Sequence, residues 1–258
     1  MSRRAKARRN RTIDCNIQYL SDALIANGKA AYDGPEKKTW HLKDVRVIKP
    51  LTEHQKEVFQ CFFQDDRHVC VYGSAGSGKT FLTLYLAFQE VLDSRFDADR
   101  IIIVRSAVPS RDIGFMPGTY EEKLALYELP YMDILADLFG RNSTYGEMKK
   151  AGLVEFVSTS YIRGLTWDNA IILVDEFQNM SLSEIDSVVT RVGQGSRLIM
   201  CGDVTHQCDL KQGMSGAQQF IEIANAIDDF SIVQFTADDI VRSNFVKTWI
   251  KTRELFNY

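Results

Sequence analysis

Six short apolar runs rich in β-branched residues punctuate the chain, at about residues 68–72, 101–105, 154–158, 171–175, 198–202 and 231–235. Stretches long enough to hold a helix separate them, and this alternation predicts an α/β fold with a mostly parallel sheet and right-handed crossovers. The run Ala170 to Val174 is continuously apolar, as a strand covered on both faces must be. Between the second and third runs, Leu124, Tyr127, Tyr131, Ile134 and Leu138 step by three and four. That spacing predicts an amphipathic helix, bent near Pro130, whose aromatic residues read as core rather than as a stacking platform for bases. Near the N-terminus, Ile17, Leu20, Leu24 and Ile25 have helical spacing, Gly34-Pro35 breaks the chain, and Trp40, Leu42, Val45 and Val47 alternate as a short strand pair would. The expected organisation is a flexible basic arm over 1–12, a small extension over 13–50 and one main domain over 51–258.

The turn after the first run carries chemistry. Residues Gly73, Ser74, Ala75, Gly76, Ser77, Gly78, Lys79 and Thr80 fit the pattern G-x-x-x-x-G-K-[ST] between a predicted strand and a predicted helix, with Phe81 next in line. Backbone N–H groups of such a loop and the positive end of the helix converge on one point, where a polyphosphate can sit. Gly76 and Gly78 keep Cβ atoms out of the way, Lys79 brings a point charge to the β- and γ-phosphates, and Thr80 brings a hydroxyl to Mg²⁺. The fourth run ends in Asp175 and Glu176, at the strand edge where ligands of open α/β sheets bind. Asp175 is the candidate to hold Mg²⁺ through water, and Glu176 the candidate to orient and deprotonate an attacking water. This pairing looks like the class of P-loop ATPases with an extra strand and a catalytic glutamate. The fifth run leads into Gly202, Asp203 and then Gln207; GD-x-x-x-Q resembles the sensor motif of superfamily 1 helicases, which makes Gln207 the γ-phosphate sensor candidate. Gln55, about 20 residues before the loop, is placed where such helicases carry a glutamine that reads adenine.

With these pieces in register the chain resembles the PhoH-like family of P-loop ATPases, most closely its short bacteriophage members. The resemblance runs from about Leu51 to Trp249, through VRSAV at 104–108, GFMPGTYEEK at 114–123, YIRGLT at 161–166, DNAIILVDEFQ at 168–178, GDVTHQCDL at 202–210 and DDIVR at 238–242. Two departures stand out: Pro109, Ser110, Arg111 and Asp112 replace a more acidic turn, and Phe177 occupies the alanine position of Asp-Glu-Ala-Gln. The resemblance implies a RecA-like P-loop NTPase core, ATP and Mg²⁺ as ligands, hydrolysis, a ring-shaped homo-oligomer, expected to be a hexamer, and work on single-stranded RNA or DNA. A single core domain needs an arginine from a neighbouring subunit or from itself to stabilise the transition state, and Arg242 and Arg163 are the candidates. Arg105, at a strand end, and the loop with Tyr161, Arg163 and Thr166 are the expected contacts to nucleic acid; the alternative is a loop that braces the subunit interface.

Composition narrows the alternatives. The net charge of −3 conceals an arm with six Arg or Lys and no acid in residues 1–11, which leaves 25 basic against 34 acidic residues elsewhere. If all six contacted a single strand, log K would fall with log salt with a slope near −4, at roughly 0.7 counterions each. Polar residues interrupt any signal-peptide core after that arm, and no apolar stretch reaches the roughly 18 residues of a membrane span, so a cytoplasmic protein without membrane contact is expected, in the host cytosol if viral. Cys15, Cys61, Cys70, Cys201 and Cys208 show no C-x-x-C pairing, which suggests reduced thiols; Cys201, His206 and Cys208 match no common zinc spacing. The functional alternative to a nucleic-acid motor is a nucleotide-gated assembly or adaptor protein with little turnover. A small-molecule kinase would find Glu176 a hindrance, since water activation wastes the phosphoryl group.

Overall fold

The structure, a computed structural model, describes residues 40–64, 67–94, 96–106, 120–162, 164–204, 209–210 and 214–256. In chain order the elements are α1 (Glu53–Gln64), β1 (His68–Gly73), α2 (Lys79–Val91), β2 (Arg100–Arg105), α3 (Tyr120–Phe139), α4 (Thr144–Lys150), β3 (Val154–Ser158), β4 (Ala170–Asp175), α5 (Leu182–Val189), β5 (Arg197–Gly202), α6 (Ala217–Asn225), β6 (Phe230–Phe235) and α7 (Asn244–Leu255). The six strands form one sheet in the order β3-β2-β4-β5-β1-β6, and each neighbouring pair is parallel. All six lie where the apolar runs predict them. β5 sits between β1, which carries the Gly-rich loop, and β4, which carries the acids. This inserted strand is the one expected of the class with a catalytic glutamate.

Strand alternation divides the interior into two cores. Val69, Val71, Ile101, Ile103, Ile171, Leu173 and Ile199 face a layer made by α1 to α4, with Val58, Phe62, Leu84, Phe88, Leu138 and Met148 packed against them. Cys70, Ile102, Val104, Ile172, Val174, Leu198 and Met200 face α5 and α6 through Ile185, Val188, Phe220 and Ile221. With both faces covered, β4 and β5 are buried at every residue. The helix expected from the spacing at 124–138 is α3; Tyr131, Leu135 and Leu138 form its fully buried stripe.

The strand pair expected around Trp40 to Val47 is not there. Leu42–Asp44 is a 3₁₀ turn instead. The Asp44 carboxylate accepts a hydrogen bond from His41 N at 2.9 Å, which closes the turn locally. Arg46 N donates to Leu138 O at 2.8 Å, so this backbone serves the end of α3 and not a partner strand. The basic arm, the Ile17 to Ile25 helix and the Gly34-Pro35 break lie outside the described residues, as does most of the 13–50 extension.

Candidate active site

β1 hands over to the Gly-rich loop at Gly73, whose φ is +123° and whose added Cβ would sit 1.9 Å from Phe235 O on β6. Only glycine fits there. Ser74 N donates to the same carbonyl at 3.2 Å, and Ser77 Oγ closes the loop by donating to Ser74 O at 2.8 Å. Gly78 caps α2, which starts at Lys79 and aims its positive end at the loop. The Lys79 ammonium donates to Gly73 O and Ser74 O, both at 2.8 Å, and is buried. Beside it opens a cleft of about 360 Å³, lined among others by Ala75, Gly76, Gly78, Lys79, Thr80, Phe81, Arg105, Asp175, Glu176, Asp203 and Arg242. The loop, the paired acids and Arg242 therefore share one space.

Within it the Asp175 carboxylate is fixed at both oxygens. Thr80 Oγ1 donates to Oδ1 at 3.0 Å, and the Tyr131 hydroxyl donates to Oδ2 at 2.9 Å. A hydroxyl and one carboxylate are the hard oxygen donors with which Mg²⁺ is held when phosphates and water supply the remaining ligands, so the residues present fit that ion. Cys201 Sγ lies 3.8 Å from Thr80 Oγ1; burial, reinforced by Asp175, pushes its thiol well up, so it stays neutral beside the acids.

Glu176 takes the left-handed conformation, φ 55° and ψ 43°, at the entrance to a 3₁₀ turn over Phe177–Asn179. A non-glycine residue held there costs on the order of 1 kcal/mol, and the turn is what holds it. Burial, then the charge of Asp175, raise the Glu176 pKa above the usual carboxylate range; the Gln178 hydrogen bond, Arg105 and Lys79 pull the other way. A carboxylate so disposed suits a general base. The Gln178 side chain donates from Nε2 to Glu176 Oε2 and accepts at Oε1 from Asp203 N at 3.0 Å. Asn179 exchanges two hydrogen bonds with Asp209, at 2.7 and 3.1 Å. The turn after Glu176 thus anchors both ends of the stretch that carries Gln207. Gln207 itself, like Arg163, lies outside the described residues.

The other candidate residues surround this centre. Gln55 is buried beneath the loop, donating to Ser77 O at 3.0 Å and accepting from Leu51 N at 2.7 Å. Its amide braces the Gly-rich loop against the chain before α1. Arg105 ends β2 with its guanidinium 5.5 Å from the Tyr127 ring centre. Burial works against its charge, but Tyr131, Asp175 and Glu176 outweigh that and raise its pKa. It therefore belongs with the acids in the cleft. Tyr161 is 61% exposed, on a 3₁₀ turn after β3. Arg242 lies on its own chain's loop: Val241 N donates to Gly76 O at 3.1 Å, and a Cβ on Gly76 would come within 3.0 Å of Arg242 Cγ. The contact that sequence reasoning did not find is Tyr131 to Asp175. Its one signal is a tyrosine, where leucine would serve, on a buried helical stripe, because a buried phenol needs a partner.

Residues 47–254 match the family model described as PhoH-like protein. The PhoH-like protein of Mycobacterium tuberculosis is 35% identical over 205 residues, 78% of this chain and 56% of the relative. That of Bacillus subtilis is 33% identical over 214 residues, 82% and 66% of the two chains. Protein PhoH of Escherichia coli is 36% identical over 174 residues, 66% and 48%. The chain spans about half to two thirds of the length of these relatives. Among solved structures it is similar to the large terminase from a thermophilic bacteriophage, at 13% identity and TM-score 0.45 over 79% of this chain and 50% of that one. It is also similar to unliganded Pif1 from Bacteroides sp, at 16% identity and TM-score 0.40 over 81% and 46%.

Proposed function

Because the chain belongs to the PhoH-like family, we propose that it is a Mg²⁺-dependent ATPase, working as a homo-oligomer that moves along or remodels single-stranded RNA or DNA. The observation that carries this reading is the junction of Thr80, next to Lys79 of the phosphate loop, with Asp175, next to Glu176, through one hydrogen bond of 3.0 Å. Phosphate binding and water activation meet there.

In this reading Lys79 would leave its loop carbonyls for the β- and γ-phosphate oxygens, and Thr80, its hydroxyl still donating a hydrogen bond to Asp175, would offer a lone pair to Mg²⁺. Mg²⁺, when bound, neutralises charge on those oxygens. Glu176 takes the proton of the attacking water, and Gln178 keeps its carboxylate in line. Arg242 and Arg105 bring positive charge from two sides of the cleft, and Gln207 senses the γ-phosphate. Support for an oligomer comes from α7: Phe245 and Trp249 are 75% and 64% exposed with ring centres 6.4 Å apart, and Leu255 and Phe256 are exposed beyond them. Apolar surface of this kind marks an interaction face. The hexameric ring is what the family resemblance implies.

ATP turnover measured with and without single-stranded RNA and DNA tests the proposal. Several-fold stimulation by either polymer is the expected result and also says which one is preferred. Turnover indifferent to both, with no binding at low salt, would discard the nucleic-acid motor, and tight ATP binding with negligible turnover would turn the reading to a nucleotide-gated assembly protein.

A further inference from the structure

We propose that Tyr131 is a positioning residue for the metal site, its hydroxyl holding the Asp175 carboxylate in the orientation that presents Thr80 to Mg²⁺. The inference rests on the function proposed above and adds a residue to it. Tyr131 lies on α3, fully buried, and its hydroxyl meets Asp175 Oδ2 at 2.9 Å across 44 residues of sequence. The other carboxylate oxygen accepts the Thr80 hydroxyl at 3.0 Å, so a chain of two hydrogen bonds runs from the helix through the acid to the metal-binding hydroxyl.

The direction of each bond matters. A hydroxyl that donates its proton to Asp175 has its lone pairs left for a cation, and it donates reliably only if the carboxylate cannot rotate. With one oxygen tied to Thr80 alone, Asp175 could swing about its last torsion; the second donor removes that freedom. In this pair the Tyr131 hydroxyl is the donor, because an ionised carboxylate offers only acceptor oxygens. The ring is held from the sides as well, 5.9 Å from Phe156. Such supporting hydrogen bonds around metal ligands change metal affinity by about 10- to 100-fold when removed.

The test is Tyr131→Phe in the full chain, read first by equilibrium binding of a fluorescent ADP analogue in EDTA and over a Mg²⁺ titration. The expected outcome is unchanged affinity in EDTA with about a 10-fold rise in the Mg²⁺ concentration that gives half of the metal-dependent gain. In an Asp175→Asn background the same substitution should have no further effect on that midpoint. Should Tyr131→Phe fail to fold, Tyr131→Met carries the test, the hydroxyl gone and a flexible apolar chain filling the space. An unchanged Mg²⁺ midpoint overturns the proposal, and so does equal weakening with and without Mg²⁺, which would make Tyr131 a packing residue. If the wild-type chain shows no Mg²⁺-dependent nucleotide binding at all, the ATPase reading falls with it; a wild-type response that Tyr131→Phe leaves intact removes this inference alone.

Discussion

Glu176 and Asp175 are neighbours in sequence, yet the structure gives them different surroundings. Asp175 accepts two hydroxyl hydrogen bonds, whereas Glu176, turned by a left-handed φ of 55°, is steered by the Gln178 amide. Glu176→Gln keeps the shape and removes the base. Nucleotide binding should be retained and ATP turnover should fall by about 10²- to 10⁴-fold, as steady-state phosphate release would show. A second residue holds the loop from outside. Asp239 is buried and accepts from Thr236 N at 2.8 Å, Thr236 Oγ1 at 3.2 Å and His54 Nδ1 at 2.7 Å, which fixes the turn that presents Val241 and Arg242 to Gly76. Burial alone would raise its pKa, but hydrogen bonds from Thr236, Thr52 and His54 outweigh it and lower it. A carboxyl depressed in the folded state stabilises above the ordinary carboxylate range, and that stability is lost as pH falls through the depressed value. Asp239→Asn should therefore cost about 1–3 kcal/mol near neutral pH. In urea titrations the gap to wild type should narrow below about pH 4, where the unfolded carboxyl is protonated. Residues of the phosphate loop were legible in sequence because that motif encodes its own local backbone. Tyr131 was not legible, because its role appears only when α3 is laid beside β4.

At the scale of elements, the strands were readable because burial on both faces of a parallel sheet imposes unbroken apolar runs, with Ala170 to Val174 the clearest case. The segment at 40–47 misled because four alternating apolar residues carry too little information against one local Asp44 hydrogen bond and the packing of Trp40 on Phe139, 5.4 Å between ring centres. Contacts that tie separate elements together were out of reach for the same reason as Tyr131. Arg197 begins β5 fully buried, and its Nη1 donates to Glu90 Oε2 on α2 at 3.0 Å and to Phe62 O on α1 at 2.9 Å. The guanidinium also stacks 4.4 Å from the Phe62 ring centre. One side chain thus joins two helices to the start of β5, at the sheet edge opposite the Gly-rich loop. Removing one partner strands a buried charge, so Arg197→Met should cost about 3–5 kcal/mol in urea unfolding. Adding Glu90→Leu should restore much of that loss, since an apolar pair of similar volume is often as stable as a buried ion pair; no recovery would mean that the hydrogen bond to Phe62 O carries the effect.

On the scale of the whole molecule, the question is where the transition-state arginine comes from. Helicases with two core domains set their nucleotide between them, which is why a neighbouring subunit is the first source to expect for the one core domain among the described residues. The geometry offers a closer source: Val241 is hydrogen-bonded to Gly76 of the same chain, and Arg242 lines the same cleft as Lys79 and Glu176. Cis and trans arrangements give opposite results when inactive chains are mixed. An Arg242→Ala chain lacks the arginine and keeps the base, and a Glu176→Gln chain keeps the arginine and lacks the base. If the arginine crosses an interface, random co-assembly of equal amounts unites both intact groups at about one site in four, and activity returns. If it acts on its own chain's nucleotide, no mixed site ever holds both. We expect no recovery on co-refolding the two variants, with Arg242→Ala alone down by about 10³-fold or more as arginine fingers generally are. Recovered turnover would move Arg242 across the interface and leave Arg105 as the arginine that this chain places beside its own acids.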